Sequence, residues 1–404
     1  GEERIAEIVQ DTKFYNEWNN SETDQAVIEK LQAVKVQDLP VEVKLYGSID
    51  KHLDDGVRML SALADVAETG YTTLLFDTYA VPVEKLHYLP LLVNLLGNLD
   101  TEQFTREQLN TLNIRYLNGA SFNISAIPKE DRNDFTPVME VSWIGLMGEY
   151  AWQTGLIKEI LLNTKFEDAD TVLNVVKQQL SSLSNIFSSN PVSLLINRNI
   201  AGFDACSNYQ SYLSGLEYYY FLLQLEQVLE VFPEYVLEEL NSLNKLIINR
   251  TNLITMFAGS ENNLEIYENE MKKLIDILPV NPINKQDYSM IPAPAKKEGI
   301  AMVTPVQYNM ISADYKSMGT KFSGKYIPIG LIIYENFITP QIRFGYGAYD
   351  NYVEFMPNSF VMLSYRDPNI RETFEVYMGL PEFIRKLNIT QEELDRYIIK
   401  AFSS

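Results

Sequence analysis

Residues 341–355 read Gln341-Ile-Arg-Phe-Gly-Tyr-Gly-Ala-Tyr-Asp-Asn-Tyr-Val-Glu-Phe355. Three tyrosines and one permanent cation surround two glycines here, and an alternating segment typical of a strand follows. Gly345 and Gly347 allow backbone dihedrals that other residues avoid, and they let another chain approach closely. Arg343 carries five donors, and the hydroxyl of Tyr349 can donate to a carbonyl oxygen or an oxyanion. Such groups can hold a substrate and stabilise charge, but they supply no nucleophile.

A related pattern occurs earlier in the chain. Arg115-Tyr-Leu-Asn-Gly-Ala-Ser-Phe-Asn123 aligns without gaps with Arg343-Phe-Gly-Tyr-Gly-Ala-Tyr-Asp-Asn351, so that the arginine, an aromatic residue, Gly-Ala and an asparagine coincide. Both stretches sit in the order strand, helix, loop, strand, helix, which predicts an internal duplication. Ser121 stands in place of Tyr349, and Leu117 in place of Gly345. Only the second copy is therefore equipped to bind a ligand.

The remaining patterns predict an α+β fold, because strand-rich and helix-rich blocks alternate without a regular βαβ repeat. Strands are expected at 41–46, 70–77, 138–146, 252–259, 299–308 and 359–365. Helices are expected at 2–35, 83–96, 104–113, 155–163, 171–188, 191–231, 233–248, 262–278, 325–337 and 369–387, and after a capping Thr390. We divide the chain into a helical connector at 1–38, a first domain at 39–280, a proline-containing linker at 281–298 and a second domain at 299–404.

Composition limits the classes of function. The chain has 404 residues, enough for two or three domains, and its apolar runs are too short to span a bilayer. Its net charge of −21 argues against a nucleic-acid partner, whose phosphates require Lys and Arg. Basic or amphipathic peptides would be attracted, although acidity that only maintains solubility explains the charge equally well.

Cysteine and histidine are scarce. Cys206 is the only cysteine, which excludes an internal disulfide and fits a reducing compartment, the cytoplasm or an organelle matrix. We expect it to be buried in the core. His52 and His87 are the only histidines, and two isolated histidines argue against a metal site within this chain.

Several motifs together resemble the insulinase or pitrilysin superfamily of zinc metallopeptidases, in the subfamily typified by presequence protease. The C-terminal half of such enzymes carries an Arg…Gly-Gly-Ala-Tyr segment, which appears here at 343–349 with Tyr346 in place of one glycine. Ser364-Tyr-Arg-Asp-Pro-Asn369, Tyr377-x-Gly-x-Pro381 and Phe76-Asp77 with Tyr88-Leu-Pro-Leu91 are also typical of the subfamily. The resemblance covers essentially the whole chain.

The resemblance implies two homologous pitrilysin-type domains, each a mainly antiparallel sheet packed with helices, within a clamshell that closes around a peptide. It places zinc on an inverted His-x-x-Glu-His motif in a different half of the enzyme. In this chain the corresponding segment is His87-Tyr-Leu-Pro-Leu91, where Pro90 and Leu91 replace the glutamate and the second histidine. Arg343 and Tyr349 match the family pair that binds the peptide and supports the oxyanion, and Gly345, Gly347 and Ala348 belong to the same substrate loop.

We therefore expect the zinc-less C-terminal half of a zinc metalloendopeptidase, proteolytically inactive alone, whose partners are the zinc-bearing half and a peptide. The first helix has no start signal and the second domain looks truncated at its C-terminus, so we expect a piece of something larger. One alternative is a naturally separate, inactive peptide-binding or scaffold subunit that pairs with a zinc-bearing partner. Another is a duplicated structural protein, in which Arg343 forms a structural salt bridge. Asp367-Pro368 predicts a turn, and Arg366 receives no catalytic role.

Overall fold

The computed structural model describes residues 2–21, 34–42, 45, 47–53, 56–66, 68–129 and 134–403. The chain divides into two compact units, Gly1–Val43 with Asn388–Ser404, and Lys44–Leu387. The domain boundaries at 38, 280 and 298 remain predictions. Among the described helices, none combines the length and the apolar composition needed to cross a bilayer.

The helices and strands are named in chain order. The strands are β1 (Gly47–His52), β2 (Arg58–Leu63), β3 (Thr69–Asp77), β4 (Ser121–Pro128), β5 (Phe135–Leu146), β6 (Leu253–Gly259), β7 (Gln307–Ala313), β8 (Asp350–Phe355) and β9 (Phe360–Asp367). The helices before β7 are α1 (Glu2–Asn19), α2 (Tyr88–Leu95), α3 (Arg106–Leu117), α4 (Tyr150–Asn163), α5 (Ala169–Ser189), α6 (Val192–Ala201), α7 (Ala205–Ser214), α8 (Leu216–Val231), α9 (Pro233–Ile247) and α10 (Leu264–Ile277). Those after β7 are α11 (Tyr326–Ile333), α12 (Arg371–Lys386) and α13 (Gln391–Ser403).

The smaller unit holds the first and last helices. α1 confirms the beginning of the predicted N-terminal helix, whereas the helix expected to continue from Ser21 to residue 35 falls largely outside the described residues. α13 begins with the predicted capping box, in which the Glu393 amide donates to Thr390 Oγ1 at 3.2 Å and the Thr390 amide donates to Glu393 Oε2 at 2.7 Å. The two bonds satisfy amide groups that would otherwise lack a partner at the start of the helix.

The first sheet has the strand order β1-β2-β6-β3-β5-β4. Its neighbouring strands are antiparallel except β2 and β6, which run parallel. β3 is buried on both faces at its centre because helices and other strands enclose it, and its Leu74 and Phe76 have no exposed surface. The core continues through Trp143 of β5 and Tyr267 of α10, where burial of large aromatic surface stabilises the fold.

The second sheet has the order β7-β9-β8, with both pairs antiparallel. Its core joins Met362 of β9 to Ile338 and Ile342, which precede β8, and to Val376 and Tyr377 of α12. The α+β class, with mainly antiparallel sheets, is therefore confirmed.

The predicted duplication is visible in the strand order. β3, β5 and β4 lie beside one another as β7, β9 and β8 do, and corresponding pairs are antiparallel in both sheets. The aligned glycines Gly119 and Gly347 both have left-handed backbone, with φ of 77° and 81°. Each copy therefore turns at the same glycine before entering its hairpin.

Two secondary-structure predictions are wrong. The strand expected at 299–308 begins instead at Gln307 and ends at Ala313. Pro305 has no N–H to donate to a ladder, so the strand forms only beyond it. The helix expected at 191–231 is broken into α6, α7 and α8 at Gly202 and Gly215. The strand expected at 41–46 falls partly outside the described residues, and residues 41, 42 and 45 are not in a strand.

Polar and apolar contacts join the second sheet to the helices of the first block. Ile200 of α6 packs with Met310 of β7 and with Val361 and Leu363 of β9. Tyr308 of β7 donates through its hydroxyl to the carbonyl oxygen of Ser189 at 3.1 Å. These contacts fix β7 and β9, whose ends support the site described next.

Candidate functional site

The arginine of residues 341–355 lies on a π-helix. α11 continues without interruption into a π-helix at Tyr334–Gly345, which extends the helix predicted to end at 337 and contains Pro340. Proline lacks the N–H that an α-helix requires, and the wider π turns accommodate it. The π-helix ends where the Tyr346 amide donates to the Gln341 carbonyl at 2.9 Å. Such helices are rare and often occur at functional sites.

Arg343 is near the C-terminal end of the π-helix, and 43% of its side chain is exposed. Its Nη1 lies 3.6 Å from Oδ1 of Asp350, which also accepts a hydrogen bond of 3.3 Å from the Tyr334 hydroxyl. An ion pair this long and this exposed contributes at most about 1 kcal/mol. The salt bridge proposed as the structural alternative is therefore present, but it leaves most of the guanidinium donors available.

Tyr349 lies immediately before β8 and is 63% exposed. Its amide donates to the Tyr365 carbonyl at 3.2 Å, and its ring lies 5.6 Å from the Tyr365 ring. Its hydroxyl has no hydrogen-bond partner among the described residues. The backbone and ring are thus held by β9, while the hydroxyl is free to donate to a ligand.

Arg343 and Tyr349 are connected through Asp350. Within the described ranges no hydrogen bond or ring contact joins the two side chains directly. Asp350 follows Tyr349 in the chain and binds Arg343, so both side chains are anchored at the start of β8. The structure therefore places a cation and an unpartnered phenol on one short, exposed turn.

The small residues between them have different roles. Gly347 has the left-handed backbone that the sequence predicted, with φ of 81°. Gly345 does not have a positive φ, so the expectation of unusual backbone at that position is wrong. It ends the π-helix, where a Cβ would meet the Pro340 carbonyl oxygen at an ordinary 3.5 Å. Ala348 is buried in the core and anchors the loop.

Replacing Gly347 by Ala is expected to destabilise the turn by about 1–2 kcal/mol, because left-handed backbone brings a Cβ close to the carbonyl oxygen. No other atom would lie within 4 Å of that Cβ, so backbone strain is the whole cost. Amide hydrogen exchange of residues 343–352 would measure the loss of local protection. Gly345→Ala is the matched control and should be neutral or slightly stabilising. Equal losses in both variants would contradict this account.

Arg366 is the residue that sequence reasoning missed. It lies near the end of β9 with a left-handed φ of 47°, and its Cζ is 5.9 Å from the centre of the Tyr349 ring. The neighbouring turn was predicted correctly, since the Asn369 amide donates to Asp367 Oδ1 at 2.8 Å. The motif at 364–369 was the available signal, but sequence alone does not show that its arginine faces Tyr349.

Family models match both parts of the chain. The family described as peptidase M16 (C) associated matches residues 1–225, more than half of the chain. The chain belongs to this family. The family described as PreP C-terminal domain matches residues 297–404, which include Arg343, Tyr349 and Arg366.

Two curated relatives align with almost the whole of this M16-associated chain. Protein HypA of Clostridium perfringens is 25% identical over 401 residues, which cover 98% of this chain and 41% of that protein. Presequence protease 1, chloroplastic/mitochondrial, of Arabidopsis thaliana is 24% identical over 402 residues, covering 98% of this chain and 37% of that protein. The chain thus spans about two fifths of the length of these relatives.

Solved structures share the fold. A peptidase M16 inactive domain from Pseudomonas fluorescens superposes with a TM-score of 0.59 at 16% identity, covering 87% of this chain and 82% of that one. A protease from Helicobacter pylori gives a TM-score of 0.57 at 14% identity, covering 89% and 85%. The M16-associated chain is therefore an M16 peptidase-like domain related to presequence protease.

The segment that aligns with the zinc motif is packed against aromatic residues. His87 stacks on Tyr212 with ring centres 4.1 Å apart, and its Nε2 lies 2.9 Å from the Tyr212 carbonyl oxygen. Burial lowers the pKa of His87 below its ordinary value of 6.5, which keeps the ring neutral. Among the described residues, no three His, Cys, Asp or Glu side chains are grouped as a metal site requires. This segment does not fit zinc.

The His87 environment predicts a pH dependence of stability. Since folding lowers its pKa, the unfolded chain binds a proton first, and stability falls as the pH drops from about 6.5 toward the folded pKa. Above 6.5 both states are neutral and the contribution is complete. His87→Gln should flatten the difference in melting temperature between pH 7.5 and pH 5.5 relative to the unmodified chain. Parallel curves for the two proteins would contradict this assignment, and His52→Gln serves as the matched control.

Proposed function

We propose that this chain is the zinc-less C-terminal half of a zinc metalloendopeptidase that degrades peptides in a chamber formed by two halves. The observation that carries the proposal is the exposed Tyr349, whose hydroxyl is unpartnered, on the same turn as Arg343. The match of this region to the PreP C-terminal domain supports it. The proposed domain organisation is the connector at 1–38, the domain at 39–280, the linker at 281–298 and the domain at 299–404.

In the proposed role, the two side chains bind the peptide and support negative charge on its carbonyl oxygen. The Tyr349 phenol donates one hydrogen bond, and the Arg343 guanidinium adds positive charge and further donors. Donors held in place before reaction stabilise an oxyanion effectively, because they need no reorganisation as the charge develops. The substrate loop at 345–348 positions both groups through the Gly347 turn and the buried Ala348.

The metal belongs to the partner half in this proposal. The segment around His87 does not fit zinc, so no chemical step is assigned to a metal on this chain. The partners are then a zinc-bearing half of the same superfamily and a peptide, basic or amphipathic because the net charge is −21. In both curated relatives the matching region is part of a longer protein, which favours a half-enzyme over a separate scaffold subunit. A cytoplasmic or organelle-matrix location stays a prediction.

Complementation tests this function. The 404-residue chain is mixed with a zinc-bearing N-terminal half of the superfamily, and cleavage of an unfolded, quenched-fluorescence peptide is followed. We expect little cleavage with either half alone and chelator-sensitive cleavage with both. Cleavage by this chain alone that resists chelator would overturn the proposal, as would a complex of both halves without cleavage.

A further inference from the structure

We propose that Arg366 is a second substrate-contacting cation, which selects peptides that carry a carboxylate beside the position bound by Tyr349. This inference rests on the proposed function, because it assigns a specificity to the same site. It adds a residue that sequence reasoning placed only beside a turn.

The backbone at Arg366 is held in an unusual conformation. Its φ of 47° is left-handed, which costs a residue other than glycine roughly 1–2 kcal/mol. The next residue, Asp367, is fully buried and accepts hydrogen bonds from Thr373 Oγ1 at 2.6 Å and Asn309 Nδ2 at 3.1 Å. These bonds fix the turn and leave the Arg366 side chain exposed. Strained backbone of this kind is concentrated at functional sites.

Aromatic side chains, not acids, surround the guanidinium. Its Cζ lies 5.5 Å from the Tyr365 ring centre and 5.9 Å from that of Tyr349. A hydrogen bond to the Tyr308 oxygen raises the pKa of Arg366, so the group is permanently charged. Tyr308 is in turn fixed, since its own hydroxyl donates to the Ser189 carbonyl at 3.1 Å. Three tyrosines from three different strands or strand ends therefore orient one arginine.

The absence of an acidic partner is informative in this chain, which has 54 Asp and Glu against 33 Lys and Arg. Arg343 is paired with Asp350, whereas Arg366 forms no ion pair with any residue that the structure describes. An arginine supported by aromatic rings keeps its planar donors available for bidentate binding of a carboxylate. The overall negative charge would disfavour an acidic peptide, so recognition of one carboxylate requires a local cation of this kind.

Arg115 provides a matched control. It aligns with Arg343 in the first copy, its Cζ lies 5.0 Å from the Tyr116 ring centre, and among the described residues it forms no ion pair. Its backbone is helical, and it belongs to the copy in which Ser121 replaces the tyrosine. General attraction of an acidic peptide to an exposed arginine should therefore affect Arg115 and Arg366 alike, whereas site-specific recognition should involve Arg366 alone.

The test compares binding of peptide pairs that differ only by Glu or Gln at one scanned position. Binding to the 404-residue chain is measured by fluorescence anisotropy. At one position the Glu peptide should bind about tenfold more tightly, as expected for a charge-assisted hydrogen bond at a partly exposed site. Arg366→Asn should abolish the preference, because asparagine tolerates left-handed backbone but carries no charge. Arg366→Lys should retain part of it, and Arg115→Asn should retain all of it.

The outcomes separate this inference from the proposed function. Equal binding of Glu and Gln peptides at every position would overturn the role of Arg366, as would a preference that survives in Arg366→Asn. Failure to bind any peptide would overturn it too, together with the peptide-binding role of this chain. Cleavage in the complementation assay is a separate readout, and it would stand if only the carboxylate preference failed.

Discussion

Replacing Tyr349 by Phe is expected to lower kcat about a hundredfold in the complemented enzyme. The substitution removes one hydroxyl and leaves the ring, so its contact with Tyr365 at 5.6 Å is retained. Loss of one donor to an oxyanion typically reduces kcat by about 10²–10³-fold. Because the hydroxyl has no hydrogen-bond partner among the described residues, its removal should not change folding. The effect should fall on kcat, with KM nearly unchanged.

Tyr352→Phe is the matched control for this measurement. Tyr352 lies on β8, three residues further along, and is 47% exposed, so it is a similar phenol on the same strand. Burial raises its pKa, but it was predicted to be an ordinary strand or loop aromatic. Its substitution should change kcat less than about threefold, well below the loss expected for a donor to an oxyanion. If Tyr349→Phe and Tyr352→Phe had equal effects, the assignment of Tyr349 to the oxyanion would be wrong.

The fold was largely predictable because its strongest signals are local or repeated. The aligned loops at 115–123 and 343–351 indicated a duplication, and both turn at a left-handed glycine, since few other residues adopt that backbone at low cost. Alternation located β3 and β5 correctly. The wrong predictions arose where an apolar run crossed a residue with a backbone constraint. Pro305 displaced one strand, and two glycines divided one long helix.

The candidate site was predictable only in part. Residue type and spacing pointed to Arg343 and Tyr349, whose function still has to be tested. The π-helix was not predictable, because its width depends on how Pro340 is accommodated by the surrounding core. Arg366 was missed for a different reason. Its surroundings are assembled when β7 and β8 pair with β9, which brings together tyrosines that lie far apart in the sequence.

Replacing Asp367 by Ala should be the most destabilising change near the site, with a loss of about 3–5 kcal/mol. The carboxylate is fully buried and accepts from Thr373, Asn309 and the Asn369 amide at 2.6–3.1 Å. Each buried donor left without an acceptor costs roughly 1–3 kcal/mol. A loss of this size would lower the amide-exchange protection of β7, β9 and α12 by at least about a hundredfold, since 1.4 kcal/mol corresponds to tenfold. Local exchange is the suitable readout, because a chain with two compact units need not unfold in one step.

Glu375→Ala is the matched control on the same helix. Glu375 is exposed and pairs with Arg371 at 3.0 Å on the surface of α12, so its removal should cost less than about 0.5 kcal/mol. Asp367→Asn keeps one acceptor oxygen and should lie between the two. A loss below about 1 kcal/mol in Asp367→Ala would contradict the account of its buried hydrogen bonds. If the account holds, Asp367→Ala should also weaken the carboxylate preference assigned to Arg366, because the same bonds hold the left-handed turn that presents the guanidinium beside Tyr349.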